Sequence, residues 1–305
     1  MKKNGFRIEY LLMIIVSFFW AIGHPLGKIV TRSLHPYQVA AVNLTIGFVA
    51  VVIFLLISGK IKKLSKLSPR DIMISLGLGV FGFFFYQILT FSALSKIPAS
   101  INAVLISSNV IFIAILAAPI LKERIGLSTK IGIGLAAIGV VLVTFNQGFS
   151  LNLSGTDMDL MAFLDPLLAA LSFALYSVIG KKLLANNDPL IVAALALFSG
   201  AVLLNILTAF TVGYTQIFTA SRTELGILII LGLTMIGIAY PLWFTCLKKL
   251  PASHVSIYIY LTPVFAVVLS LIILKESFSW LFWVGAVLIL AGIIVTNQLK
   301  FKNAE

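Results

Sequence analysis

Pro98-Ala99-Ser100 returns 153 residues later as Pro251-Ala252-Ser253. The same offset carries Leu121-Lys122-Glu123 onto Leu274-Lys275-Glu276, Pro36 onto Pro189, Val39-Ala40-Ala41 onto Val192-Ala193-Ala194, Gly47 onto Gly200 and Gly132 onto Gly285. Apolar sequences align easily because their alphabet is small, but prolines, glycines and a Lys-Glu pair are not drawn from that alphabet. The chain is therefore one unit used twice, almost without insertions, and its fold must be built from two related halves.

The unit is a membrane unit. Of the 305 residues, 60% are hydrophobic and 10% charged, with a mean hydropathy of +1.11, too few polar residues to cover a soluble globule. About 20 apolar residues span a bilayer core, and reading the chain this way predicts helices over 8–31, 36–58, 71–95, 99–121, 128–146, 159–184, 189–212, 223–247, 253–274 and 279–297. The first run follows Lys2, Lys3 and Arg7 as a signal peptide would, yet equal runs recur to the end, so it reads as the first span. His35-Pro36, Ser68-Pro69, Ile97-Pro98, Asp188-Pro189 and Leu250-Pro251 supply stop signals, because the residue before proline is pushed away from the helical region. A single cysteine, Cys246, excludes an internal disulfide or a thiolate metal cage. The formal charge of +12 is scattered between apolar runs, which argues for membrane insertion and against a nucleic-acid stripe.

Lys and Arg partition strongly when the connections are counted on alternate sides. One side holds 17 of them, at 2, 3, 7, 60, 62, 63, 66, 70, 122, 124, 130, 181, 182, 248, 249, 300 and 302, and the other holds 4, Arg32, Lys96, Arg222 and Lys275. This places both termini in the cytoplasm and requires an even number of spans. The expected architecture is an all-α integral membrane protein of the cytoplasmic membrane, with ten transmembrane helices. Residues 1–146 and 159–305 form the repeats, joined by an external linker, 147–158, that lacks Lys and Arg. Five spans per repeat is odd, so the second copy enters the bilayer inverted relative to the first. Oppositely oriented bundles can exchange conformations around a site between them, which makes alternating-access transport the leading class.

Several features jointly resemble the EamA-type transporters of the drug/metabolite transporter superfamily. They are Trp20-Ala21 with Lys28 eight residues on, Pro36 opening span two, Pro-Ala-Ser opening spans four and nine, Thr262-Pro263 within span nine, and the Leu-Lys-Glu endings. The resemblance covers essentially the whole chain. It implies a carrier of amino acids, nucleobases, sugars or other small metabolites, commonly outward, with spans one to four and six to nine around a cavity and five and ten outside. Asn109-Val110 stands in span four where span nine has Thr262-Pro263, and His24 stands where a small or apolar residue is expected.

Polar groups in hydrocarbon are costly and should face a cavity or another helix. A position on the axis relating the repeats should be polar in both copies, and four pairs pass: Ser107 with Tyr260, Asn109 with Thr262, Gln87 with Tyr240, and His24 with Ser177. Tyr and Trp favour the headgroup belts, so Trp20, Tyr86, Tyr176, Tyr240, Trp243, Tyr258 and Tyr260, all mid-span, suggest a cavity wall. The expected substrate-binding residues are thus Trp20, His24, Tyr86, Gln87, Ser107, Asn109, Tyr176, Ser177, Tyr240, Trp243, Tyr260 and Thr262. Each also has a plain packing explanation, a hydroxyl or amide bonded across helices. The run Phe81, Phe83, Phe84 and Phe85 reads as lipid-facing or packing surface. Asp165 is the one carboxylate well inside a span and suits a structural or entry role. The Lys-Glu pairs read as fixing span ends.

In WAIGHPLGK, residues 20–28, Trp20, His24 and Lys28 share a helix face, and Pro25 removes a bond to the Ala21 carbonyl. Trp20, Gly27 and Lys28 belong to the repeat, whereas His24-Pro25 becomes Ser177-Val178 in the second copy. No catalytic motif or metal set is present, so no enzyme activity, cofactor or metal is expected. The expected partners are a small-molecule substrate and the lipid bilayer, with the chain a monomer or weak homodimer. An uncoupled facilitator and a transport-inactive scaffold remain as alternatives.

Overall fold

The computed structural model describes residues 8–123, 125–145, 160–275 and 280–298. The linker, Arg124, Glu276 and both chain ends lie outside these described residues. Long helices account for nearly all of them, and none is in a strand. They are α1 (Ile8–Val30), α2 (Pro36–Ile57), α3 (Pro69–Lys96), α4 (Ala99–Leu121), α5 (Leu127–Phe145), α6 (Leu160–Leu184), α7 (Pro189–Thr211), α8 (Arg222–Lys249), α9 (Ala252–Leu274) and α10 (Trp280–Gln298). Among the described residues, eight of these, α1–α4 and α6–α9, are long and apolar enough to cross a membrane.

The proline signals act as read. His35, Ser68 and Asp188 each cap a helix whose first residue is proline, and Ile97 and Leu250 are extended, with ψ of 162° and 155°. At the other ends of α4 and α9, Lys122 and Lys275 take up left-handed conformations, φ 55° and 58°, and close both helices alike. The neighbouring Glu123 accepts from the Ala252 N–H (2.8 Å) and the Ser253 hydroxyl (3.0 Å), so it caps the start of α9.

The offset of 153 governs tertiary structure as well. Lys28 Nζ donates to the carbonyls of Leu94 (2.8 Å) and Ile97 (3.1 Å), and Lys181 Nζ donates to those of Leu247 (2.7 Å) and Leu250 (2.6 Å). Each lysine ties the first helix of its repeat to the end of the third. Contacts between repeats also swap: α1 packs on the later halves of α8 and α9, and α6 on those of α3 and α4. α2 pairs with α7, and α5 with α10. A Cβ on Gly139 would lie 2.5 Å from the Gly285 carbonyl, and one on Gly292 2.5 Å from that of Gly132, so glycine is what lets α5 and α10 touch backbone to backbone.

Four helices are interrupted where sequence reading predicts plain spans. α3 and α8 contain π segments, Val80–Phe85 and Gly232–Ile238. α4 breaks at a turn, Ser107-Ser108, and α9 has a 3₁₀ segment, Ile257–Tyr260. Wide π turns leave carbonyls available to side chains. Trp20 Nε1 donates to the Met235 carbonyl (3.3 Å), and Ser172 Oγ donates to that of Phe81 (2.7 Å). α1, by contrast, runs on through Pro25 as one helix.

Candidate functional site

The interruptions converge on a small buried cavity. Trp20, Gly23 and His24 of α1, Tyr86, Thr90, Phe91 and Leu94 of α3, and Ala103, Ile106, Ser107 and Asn109 of α4 form most of its wall. The second repeat adds Phe173 from α6, Met235 from α8, and Ile259 and Thr262 from α9. Water-sized centres have about 20 Å³ there, room for about one water.

Three pairs related by the repeat meet in this wall: Trp20 with Phe173, Ile106 with Ile259, and Asn109 with Thr262. The cavity therefore straddles the centre of the pseudo-symmetry. It does not straddle it evenly, since every other lining residue except Met235 comes from the first repeat. At the equivalent positions beside the second repeat stand larger side chains. Gly23, Thr90 and Ser107 correspond to Tyr176, Trp243 and Tyr260, each of them fully buried. One contact is reversed in size. A Cβ on Gly23 would fall 2.1 Å from Met235 Sδ, whereas at the equivalent contact a Cβ on Gly82 would fall 2.2 Å from the Tyr176 ring.

Tyr176 and Trp243 belong to an aromatic block. Trp20 lies 5.4 Å from Phe173 and 5.5 Å from both Tyr240 and Trp243 between ring centroids, and Tyr176 stacks on Phe244 at 4.7 Å and 12°. Phe83 sits 4.6 Å from Tyr240 and 5.3 Å from Tyr176. The phenylalanine reading divides between its two alternatives: Phe81 and Phe85 are 38% and 44% exposed, and Phe83 is wholly buried and packed at the centre. Phe81 and Phe85, four residues apart, share one helix face, and Phe83 between them lies on the other.

Of the expected substrate-binding residues, Trp20, His24, Tyr86, Ser107, Asn109 and Thr262 line the cavity. Gln87, Tyr176, Ser177, Tyr240, Trp243 and Tyr260 are buried behind it, and Tyr258 stacks on Tyr10 at 5.7 Å, away from the wall. His24 both faces the cavity and reaches a neighbouring helix, its Nδ1 3.4 Å from Asn102 Nδ2. An amide nitrogen only donates, so Nδ1 accepts and the neutral ring carries its proton on Nε2. Asn109 Oδ1 and Thr262 Oγ1 are buried without a hydrogen-bond partner among the described residues, as are Gln87, Ser177 Oγ, Tyr176 Oη, Trp243 Nε1 and Tyr260 Oη. Such atoms cost about 1–3 kcal/mol each. No carboxylate, and among the described residues no cluster suited to a metal ion, lies in the wall. Asp165 is half-buried in the second turn of α6.

Sequence reasoning missed Gly23, Thr90, Phe173 and Met235 in the wall, and Asn43, whose amide is buried and unpartnered in mid-α2. Phe173 was within reach, because it is the copy of Trp20.

The chain matches the profile of the EamA-like transporter family twice, over residues 7–145 and 160–298. An uncharacterized transporter of Clostridium kluyveri is 27% identical, with 100% of this chain and 96% of that protein aligned. A Salmonella typhimurium protein named "Probable amino-acid metabolite efflux pump" is 24% identical, aligned over 99% of this chain and 96% of its own length. A solved crystal structure superposes with a TM-score of 0.78 at 20% identity, covering 98% of this chain and 99% of that one, which shows a common fold.

Proposed function

The chain belongs to the EamA-like transporter family, and from that premise we propose that it is a secondary transporter moving a small polar metabolite, an amino acid or related compound, outward across the cytoplasmic membrane by alternating access. Members and relatives are transporters by name, and the many apolar helices make it a multi-pass membrane protein. In the proposed arrangement α5 and α10 complete ten spans, the repeats 1–146 and 159–305 are inverted, and both termini face the cytoplasm, as the Lys and Arg partition requires.

One observation carries the proposal. Asn109 and Thr262 face one cavity, at the centre of the repeat symmetry, with buried oxygens that find no partner among the described residues. Buried polar groups in evolved interiors are nearly always paired, so these two call for a partner from outside the described residues, such as water or cargo. With His24, Ser107, Thr90 and Tyr86 they form a wall of neutral donors and acceptors, and Trp20 and Phe173 add flat apolar faces. That set suits a small molecule with several hydrogen-bonding groups and, lacking a carboxylate, does not select for cations. Space for about one water means that cargo enters only when the bundle opens. The breaks in α3, α4, α8 and α9 adjoin the cavity and supply bending points.

The test is counterflow in proteoliposomes. Vesicles preloaded with one unlabelled amino acid, nucleoside or sugar are diluted into the labelled compound, with and without a pH gradient. Saturable overshoot with an amino acid is expected. Linear, non-saturating flux would make the protein an uncoupled permease, and no flux with any compound would overturn transport.

A further inference from the structure

Outside the cavity, the segment between α2 and α3 builds a second recess. Lys60–Lys66, sequence KIKKLSK, is a 3₁₀ helix entered through Gly59 at φ 65°. Three residues per turn stack i and i+3, so Ile61, Leu64 and Leu67 form one stripe and Lys60, Lys63 and Lys66 another. Lys63 Nζ bonds Asp188 Oδ2 at 2.6 Å, which pins the segment to the start of α7. Ile61 and Leu64 then roof a groove whose walls are Phe48, Val52 and Leu55 of α2 and Ile191, Ala194 and Phe198 of α7. Its volume is about 160 Å³ and every side chain lining it is apolar. Phe198, 46% exposed, stands at its outer edge, and Ile53, Phe54 and Ile57 beside it face outward on α2, so the groove opens where lipid chains lie. On the roofing helix itself, Lys62 and Lys66 are exposed and Lys60 is half-buried, and Lys66 also borders a polar recess with Lys63, Asn187, Asp188 and Lys248.

We propose that this groove and its lysine roof form a binding site for an anionic phospholipid, one acyl chain lying between α2 and α7 and the phosphate on Lys60, Lys62 and Lys66. The juxtaposition of a dry slot with several cations on the helix that roofs it matches the two ends of such a lipid. A free phosphate has no use for the slot, and a choline headgroup sets its own positive charge against the lysines. The site is separate from the cavity and does not depend on what is transported.

Native mass spectrometry of the full-length protein in detergent, with equal amounts of phosphatidylglycerol and phosphatidylcholine, tests this. Phosphatidylglycerol should be retained about fivefold over phosphatidylcholine, and the triple variant K60Q/K62Q/K66Q should bring the ratio to about one. Val52→Trp, which fills the slot and leaves every lysine, should reduce retention of phosphatidylglycerol by about fivefold. Melting temperatures of both variants close to that of the parent keep loss of fold apart from loss of the site. A native ratio near one, an unchanged preference in the triple variant, or full retention in Val52→Trp would each overturn the proposal. Displacement of the lipid by millimolar glycerol phosphate would also overturn it, reassigning the lysines to a soluble anion.

Discussion

The two flanks of the centre share one backbone plan and differ in what fills it. Beside the first repeat stand Gly23, His24, Thr90 and Ser107, with a cavity among them; beside the second stand Tyr176, Ser177, Trp243 and Tyr260, all fully buried. Where the structural task is the same, the residues stay the same: Lys28 and Lys181 clamp equivalent carbonyls, and Lys122 and Lys275 close equivalent helices. Where the residues diverge, volume diverges with them, and the Gly23–Met235 and Tyr176–Gly82 contacts exchange large for small. The difference separates architecture, which the repeat preserves, from the wall of the cavity, which draws most of its residues from one flank.

The most direct way to break that contrast is to make the first flank copy the second. Gly23→Tyr should abolish counterflow, and overpacking against Met235 should cost about 1–3 kcal/mol. The double variant G23Y/M235G reproduces the arrangement at Tyr176 and Gly82, so it should regain melting temperature while counterflow stays absent. Recovery of counterflow together with stability would show that the open volume is not where cargo sits.

A milder comparison uses one residue from each flank. His24→Ala should lower counterflow roughly tenfold or more, while stability falls only by a weak hydrogen bond, about 1 kcal/mol. Ser177→Ala, at the equivalent position beside the second repeat, should change counterflow by less than about twofold, because Ser177 does not line the cavity. Proportional losses of rate and melting temperature in His24→Ala would make the histidine a packing residue. Equal effects from the two substitutions would remove the contrast.

How much of this was legible follows from the same distinction. Helix ends at His35-Pro36, Ser68-Pro69 and Asp188-Pro189 could be read because proline and cap chemistry act locally. The pairing of Asn109 with Thr262 could be read because polarity at both copies marks the axis. The π turns could not, since nothing local in VFGFFF or GLTMIGI demands a wider turn; each has a carbonyl taken up by a side chain of the opposite repeat, Ser172 or Trp20. Gln87 and Tyr240 were named because both copies are polar, and Tyr176 as a mid-span aromatic; neither criterion weighs size, and none of the three lines the cavity. Gly23 against Tyr176 and Thr90 against Trp243 show that comparing volumes would have located the open flank.

Cap chemistry offers the finest comparison, since His35 and Asp188 occupy equivalent positions and do one job with different groups. His35 Nδ1 accepts from the Tyr37 N–H at 3.2 Å, and Asp188 Oδ1 accepts from the Leu190 N–H at 3.0 Å. Only a neutral imidazole can accept, and burial holds the His35 pKa below its ordinary value. Burial opposes ionisation of Asp188, but the Lys63 hydrogen bond, the Leu190 N–H and the charges of Lys60 and Lys63 outweigh it, so its carboxyl titrates below the usual range. Both folded values are lowered, so each cap contributes fully above its unfolded pKa, about 6.5 for histidine and about 3.9 for aspartate. Each is lost as pH falls through the folded value. Acidification should therefore release the first turn of α2 before that of α7, at about 1 kcal/mol or less per cap. Amide exchange at Tyr37 and Leu190 across pH 7 to 3, corrected for intrinsic rates, reads the order. His35→Asp should move the α2 transition toward that of α7. Coincident transitions in the parent would mean that something other than the two cap side chains holds these turns.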